Sequence, residues 1–381
     1  MTGLRKFLLN VHLWTGLAAC LLLFVLGLTG AALTYETQID HTLNRSLAYV
    51  TPQAQRLPLD ELAANVRKQY PQARIVGVDL STSSPSPDLA YSFSVVQGKL
   101  RQQVFVDQYT GRVLGARIPA KSLMVYVHQL HTNLLGGPAW SIVNTWGSVL
   151  LCLLAMTGIY LWWPRKIFGA NFSVSGRRIN FDLHNAIGFY ASVFVFLFAF
   201  TAVVIHWENE AVPIAGFLTR SHAEEDPQLT SAAPGPGAKP ISLESAYAAA
   251  AQREPGARVT QMSLATKPKD IVRVWMKFPE DGTPAGRTWM FADQFSGQVL
   301  YERNARTTAI GWRYVKEWNR EIHTGDILGV FSKVIALLAS LAVAFLSISG
   351  PLIWFLKVNK KKAGRSDRAG QPELEEQLAT D

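Results

Sequence analysis

The sequence predicts a membrane α-helical fold. Four transmembrane helices form a bundle built by internal duplication, and two small α+β domains lie on one side of the bilayer. Three observations predict it. Four apolar stretches, about 12–35, 139–163, 185–207 and 331–356, can each span a hydrocarbon core of ~30 Å at ~1.5 Å per residue. Charged residues make up only 17% of the 381, which is low for a soluble chain. The second half of the chain also echoes the first at fixed offsets.

Taken in order, residues 1–36 form the first transmembrane helix, with Arg5 and Lys6 ahead of its apolar run. A signal peptide opens the same way. This run is longer than a usual signal core and has a copy mid-chain, so it reads as a retained helix. Residues 37–120 form the first outer domain. Its helix, Leu59–Tyr70, carries Leu59, Leu62, Ala63 and Val66 at helical spacing and stops at Pro71. Strand-like runs follow at Arg74–Leu80, Leu89–Val96, Gln103–Val106 and Arg112–Leu114. Residues 121–164 hold an outer interfacial segment and the second transmembrane helix. Residues 165–180 are a loop, and 181–207 the third transmembrane helix.

Residues 208–310 form the second outer domain, entered through a loose Pro227–Pro240 connection. Its helix Leu243–Arg253 and strand Arg258–Leu264 repeat the first domain at offsets of 184 to 186. Asp293–Gly297 matches Asp107–Gly111, where Gly111 and Gly297 are expected to take positive φ in tight hairpins. Residues 311–357 repeat the interfacial segment and give the fourth helix. Residues 358–381 are a polar tail, read as unstructured beyond Lys362.

The spans repeat as well. At an offset of 172, His12 falls on His184, Gly16 on Gly188, Thr29 on Thr201 and Glu36 on Glu208. At 192, His131 falls on His323, Gly158 on Gly350 and Trp162 on Trp354. Net charge is +9, but the basic residues split into three groups beside the spans. These are Arg5 and Lys6; Arg165, Lys166, Arg177 and Arg178; and Lys357, Lys360, Lys361, Lys362, Arg365 and Arg368. That distribution argues against a nucleic-acid patch. By the positive-inside rule it places both termini in the cytoplasm and both α+β domains outside. The two cysteines, Cys20 and Cys152, both sit in spans. Neither a disulfide framework nor a CxxCH haem-attachment signature is present.

The histidines sort by depth. His12 and His184 lie near the cytoplasmic ends of spans one and three, His131 and His323 near the outer ends of spans two and four. Each of His12 and His184 has a glycine at i+4 on the same helix face, leaving room for something flat and large. Imidazoles in symmetric pairs, with no thiolate and no further ligand in the helices, suit haem b with two histidine ligands better than zinc. Two haems are expected, because one would not bridge the bilayer core. The competing reading is an interfacial polar role for each histidine. His128 and His206 are second-choice ligands, since Arg320 and Thr34 stand at their equivalent positions. His41 and His222 are assigned no role.

These residues together carry a resemblance. His12-Leu-Trp-Thr-Gly16, His131-Thr-Asn-Leu-Leu-Gly136, Thr157-Gly-Ile-Tyr-Leu-Trp-Trp-Pro164, His184-Asn-Ala-Ile-Gly188 and His323-Thr-Gly-Asp326 occur in order. The chain resembles the PepSY-associated transmembrane family of bacterial inner-membrane proteins, and within it the ferric-siderophore reductases. The outer domains are then PepSY-like and periplasmic. The activity implied is haem-based electron transfer that reduces a ferric siderophore to Fe(II). No GxGxxG or P-loop fingerprint occurs, so the electron donor is expected to be external, a reduced flavin or a quinol. Trp140, Trp312, Arg313, Tyr314, Trp318 and Arg320 form an expected substrate rim, seated in a cleft between the two domains and the outer helix ends. A membrane-interface belt is the competing reading of that rim. Two other functions stay open: a PepSY regulatory or binding protein without redox activity, and a haem or metal-chelate importer.

Overall fold

A computed structural model describes residues 3–80, 87–221, 227–235 and 237–369, with side chains to residue 359. His222 and residues 370–381 lie outside the described residues. The helices are α1 (Gly3–Leu33), α2 (Glu36–Leu43), α3 (Arg45–Ala48), α4 (Leu59–Gln69), α5 (Leu123–Asn133) and α6 (Ser141–Trp162). They continue with α7 (Gly176–His206), α8 (Glu208–Thr219), α9 (Leu243–Arg253), α10 (Ile310–Trp312), α11 (Asn319–Thr324) and α12 (Val330–Ala369). The strands are β1 (Arg74–Asp79), β2 (Tyr91–Gln97), β3 (Leu100–Val106), β4 (Val113–Arg117), β5 (Arg258–Ser263), β6 (Ile271–Lys277), β7 (Thr288–Asp293) and β8 (Val299–Arg303). A π-helical stretch, Arg313–Trp318, joins α10 to α11.

Two compact units result. The helical unit comprises Met1–Thr34, Gln129–His206 and Val334–Asp381; the second comprises Tyr35–His128 and Trp207–Lys333. Among the described residues, four helices are long and apolar enough to cross a membrane: Gly3–Leu33, Pro138–Trp162, Gly176–His206 and Val330–Asn359. They extend past the apolar runs that mark them in the sequence. Arg5 and Lys6 ride on α1, and Arg177 and Arg178 on α7, because lysine and arginine are good helix formers whose long stems reach polar surroundings. The helix α12 continues to Ala369, beyond Lys362, where the sequence suggests an unstructured tail.

Within the helical unit, α6 packs against α1 and α7. A small core joins Ala19, Leu23, Val195, Ala339 and Val343. Gly27 sets the approach of α1 to α12: a Cβ there would lie 2.7 Å from the Ala344 amide nitrogen. Small residues at such crossings let membrane helices touch backbone to backbone. Leu21, Val193 and Leu338 point outward and are 73%, 65% and 60% exposed, as lipid-facing side chains are.

The second unit is one eight-stranded antiparallel sheet, ordered β4-β3-β2-β1-β5-β6-β7-β8. The two regions expected as separate small domains therefore meet edge to edge. Val78 of β1 pairs with Met262 of β5, its counterpart 184 positions on. At the seam a Cβ on Gly77 would fall 2.8 Å from the Met262 carbonyl oxygen, so glycine permits the join. One hydrophobic core serves both halves, with Leu59, Leu62 and Val66 of α4, Leu243, Ala246 and Ala250 of α9, and strand residues from each meander.

The two helices also cap one another. Asp60 accepts from the Leu243 and Glu244 amides at 3.0 and 3.2 Å, and Glu244 from the Leu59 amide at 2.7 Å. Pairing satisfies two sheet edges that would otherwise be exposed. Gly111 and Gly297 take φ of +73° and +72°, as the turn chemistry requires. The connection read as loose is anchored at Ser231, whose hydroxyl donates to the Asp270 carbonyl at 2.6 Å and accepts from the Gln294 amide at 2.9 Å.

Candidate functional site

In the helical unit, His12 of α1 and His184 of α7 lie within electrostatic reach of each other. Their surroundings match. His12 Nδ1 is 2.8 Å from the Thr157 hydroxyl of α6, and His184 Nδ1 is 2.7 Å from the Ser349 hydroxyl of α12. Each hydroxyl is followed by a glycine against which the ring rests. A Cβ on Gly158 would sit 3.4 Å from His12 Cε1, and one on Gly350 3.3 Å from His184 Cε1. On the histidines' own helices, a Cβ on Gly16 or Gly188 would meet nothing nearer than 3.8 Å, a leucine methyl in each case. A methyl at Gly16 or Gly188 would thus make only ordinary contact, and the glycines that make room for the rings are Gly158 and Gly350.

His131 stands on α5, a helix separate from the span α6. Residues 134–140 break the chain between them, with Leu134 and Leu135 at positive φ. The sequence places this histidine at the end of span two, and the break is what sets it apart. Its Nδ1 is 2.9 Å from the Thr29 hydroxyl, and a Cβ on Gly30 would lie 3.2 Å from its Cε1. Asn144 of α6 donates to the His131 carbonyl and holds the short helix in place. His323 lies at the end of α11 in the second unit, and His206 ends α7. His128, a second-choice ligand, is exposed and 3.5 Å from Glu36, which pulls its pKa above the ordinary imidazole value. Its counterpart Arg320 likewise faces Glu208, at 3.6 Å, and Lys316 joins at 2.9 Å. His128 and Arg320 thus occupy equivalent ion pairs.

Of the expected rim, the π-helical stretch assembles three members. Arg313 lies over the Trp318 ring at 4.9 Å, and Tyr314 meets Trp318 edge to face at 4.9 Å. Trp140 belongs to the helical unit. Trp312 is buried under Arg303, at 4.2 Å. Among the described residues, the β1–β5 ladder and the common core fill the seam between the α+β halves, where the sequence suggests a cleft.

Behind the rim lies a charge cluster without a signal in the sequence. The Glu317 side chain is 6% exposed, and burial pushes its carboxyl up to about 7 against the pull of Arg287 and Arg313. Glu321 accepts from the Thr283 amide and hydroxyl at 3.0 and 2.6 Å. Among the described residues, no three or more His, Cys, Asp or Glu side chains gather as a metal site.

The residues of the inner pair are a donor set that could hold a haem through two histidines. Two imidazoles come from different helices, each Nδ1 is engaged by a hydroxyl, and glycines keep space beside each ring. Four spanning helices with this site between them define a membrane helical protein. The chain belongs to the PepSY-associated TM region family, whose family model matches residues 9–357. A search of curated proteins found no match.

Proposed function

We propose that this chain carries electrons across the bacterial inner membrane with haem b held by its histidines, and reduces a ferric siderophore in the periplasm for iron acquisition. The reading takes the chain as an internal duplication with both termini cytoplasmic and the α+β regions periplasmic. One observation carries it: His12 and His184, 172 positions apart, make the same hydroxyl and glycine contacts on neighbouring spans. A merely interfacial histidine needs neither. Sequence register names His131 and His323 for a second haem.

Bound haem would supply a reversible one-electron carrier. The chain's own part is to present two imidazoles, orient them through Thr157 and Ser349, and make room for the rings at Gly158 and Gly350. The substrate's Fe(III) takes up one electron to become Fe(II). The lower charge weakens its hold on hard oxygen donors such as hydroxamates, whose oxygens take up protons on release. The electron comes from an external donor, a reduced flavin or quinol.

Purified protein should show b-type bands at about two haems per chain. His12→Ala and His184→Ala should each remove one haem. Anaerobically reduced protein should be reoxidised by a ferric hydroxamate, with Fe(II) trapped by a ferrous-specific chelator. A protein without haem, or one that no ferric siderophore reoxidises, sinks the assignment.

A further inference from the structure

Three imidazoles of the helical unit share one arrangement, and the hydroxyls in it have a direction. The Thr157 hydroxyl donates to the Leu153 carbonyl one turn back at 2.7 Å. The Thr29 hydroxyl donates to the Val25 carbonyl at 2.7 Å. A hydroxyl has one proton. With that proton given to the backbone, only lone pairs face the ring, so Nδ1 of His12 and of His131 must be the donor. Nε2 then carries the ring's lone pair. This is the tautomer that free histidine disfavours in water, so the protein has to impose it. Threonine suits the task, because its β-branch restricts χ1 and backbone back-bonding fixes the hydroxyl rotor. The following glycine lets the ring lie against the backbone so that Nδ1 reaches the hydroxyl.

We propose that Thr157, Thr29 and Ser349 are positioning residues that set the tautomers of His12, His131 and His184 and so deliver Nε2 as the ligating nitrogen. The lock is looser at His184. The Ser349 hydroxyl reaches the Leu346 carbonyl only at 3.4 Å, and serine lacks the β-branch. The inner pair therefore contains one firmly set imidazole, His12, and one more adaptable, His184. The redox consequence rests on the haem reading above; the tautomer assignment does not. A donor bond from Nδ1–H to an oxygen makes a ligating imidazole more electron-rich. That favours ferric over ferrous iron and lowers the potential.

The test uses full-length protein in lipid, labelled with ¹⁵N at histidine. In the haem-free state, Nδ1-protonated rings are expected at His12 and His131, with a mixture of tautomers at His184. Thr157→Val, of nearly the same shape, should shift His12 toward the Nε2-protonated form, and Thr157→Ser should restore the Nδ1-protonated form in part, as at His184 beside Ser349. In haem-loaded protein, Thr157→Val should raise one midpoint potential with haem content unchanged, and Thr157→Ser should bring it part of the way back. An Nε2-protonated His12 in the wild type overturns the proposal, and that measurement stands even if Thr157→Val fails to fold. A potential and tautomer both indifferent to Thr157→Val also overturn it. If the wild type shows the expected tautomers yet binds no haem, the haem reading fails and the tautomer assignment survives.

Discussion

Glu244→Ala asks whether the two α+β halves unfold as one body. Glu244 opens α9 in the second half, but the three hydrogen bonds its carboxylate accepts all come from the first. Its carboxylate accepts from the Arg56 guanidinium at 3.0 and 2.8 Å and from the Leu59 amide at 2.7 Å. Leu59 begins α4, so the contact is an N-terminal cap supplied by a different helix, and losing a cap costs ~1 kcal/mol. The ion pair is partly exposed, at 21% and 37%. Its two-pronged geometry places it near the upper end for such pairs, ~1 kcal/mol.

The variant should therefore lose ~2 kcal/mol, which is roughly a 30-fold fall in protection against global opening. Hydrogen exchange by mass spectrometry would follow peptides from β1–β4 and β5–β8 separately. Both sets should lose protection by the same factor. If β5–β8 exchanges faster while β1–β4 is untouched, the halves are independent domains and the single-body argument is wrong. Acid should erase the difference. Arg56 holds the Glu244 carboxyl below its ordinary 4.5, so its contribution is present above that pH and is lost as pH falls through the folded value.

Glu317 should act in the opposite sense. Its carboxyl sits at about 7 against an ordinary 4.5, so the folded state binds the proton more tightly. Stability should fall by on the order of 3 kcal/mol as pH rises between those values. Glu317→Gln should flatten that slope in thermal melts from pH 5 to 8, and an unchanged slope would exclude Glu317 as its source. For topology, reporter fusions after Gln38 and after Ala238 should both report the periplasm. A cytoplasmic signal from either contradicts the orientation drawn from the basic clusters.

Spans, helices and turns could be read from the sequence because their signals are local. Leu59, Leu62, Ala63 and Val66 mark α4 by spacing alone, and Gly111 and Gly297 mark their turns by an immediate backbone need. The β1–β5 seam could not be read this way. Val78 and Met262 are far apart in the chain, and alternation of apolar residues says that a strand exists, not which edge it joins. Gly77, the residue that permits the join, looks like any glycine that weakens a strand. His128 was ambiguous for a related reason: its meaning depends on Glu36, which lies on another helix.

The hydroxyl partners were hidden differently, since they stand in plain sight as Thr29-Gly30, Thr157-Gly158 and Ser349-Gly350. In an apolar span, a small hydroxyl residue beside a glycine reads as helix packing. Nothing in one helix says that an imidazole of another will rest there. Yet the repeat offered a route. The offset of 192 that carries Gly158 onto Gly350 also carries Thr157 onto Ser349, and the hydroxyl survives a change of side chain. What the two positions share is one oxygen on Cβ followed by no Cβ at all, which is what the imidazole contacts use. The offset of 172 carries Thr29 onto Thr201 but Gly30 onto Ala202, so the hydroxyl recurs there without its glycine. Comparing repeats by the atoms they retain, rather than by residue identity, brings out the hydroxyls that the histidines alone do not reveal.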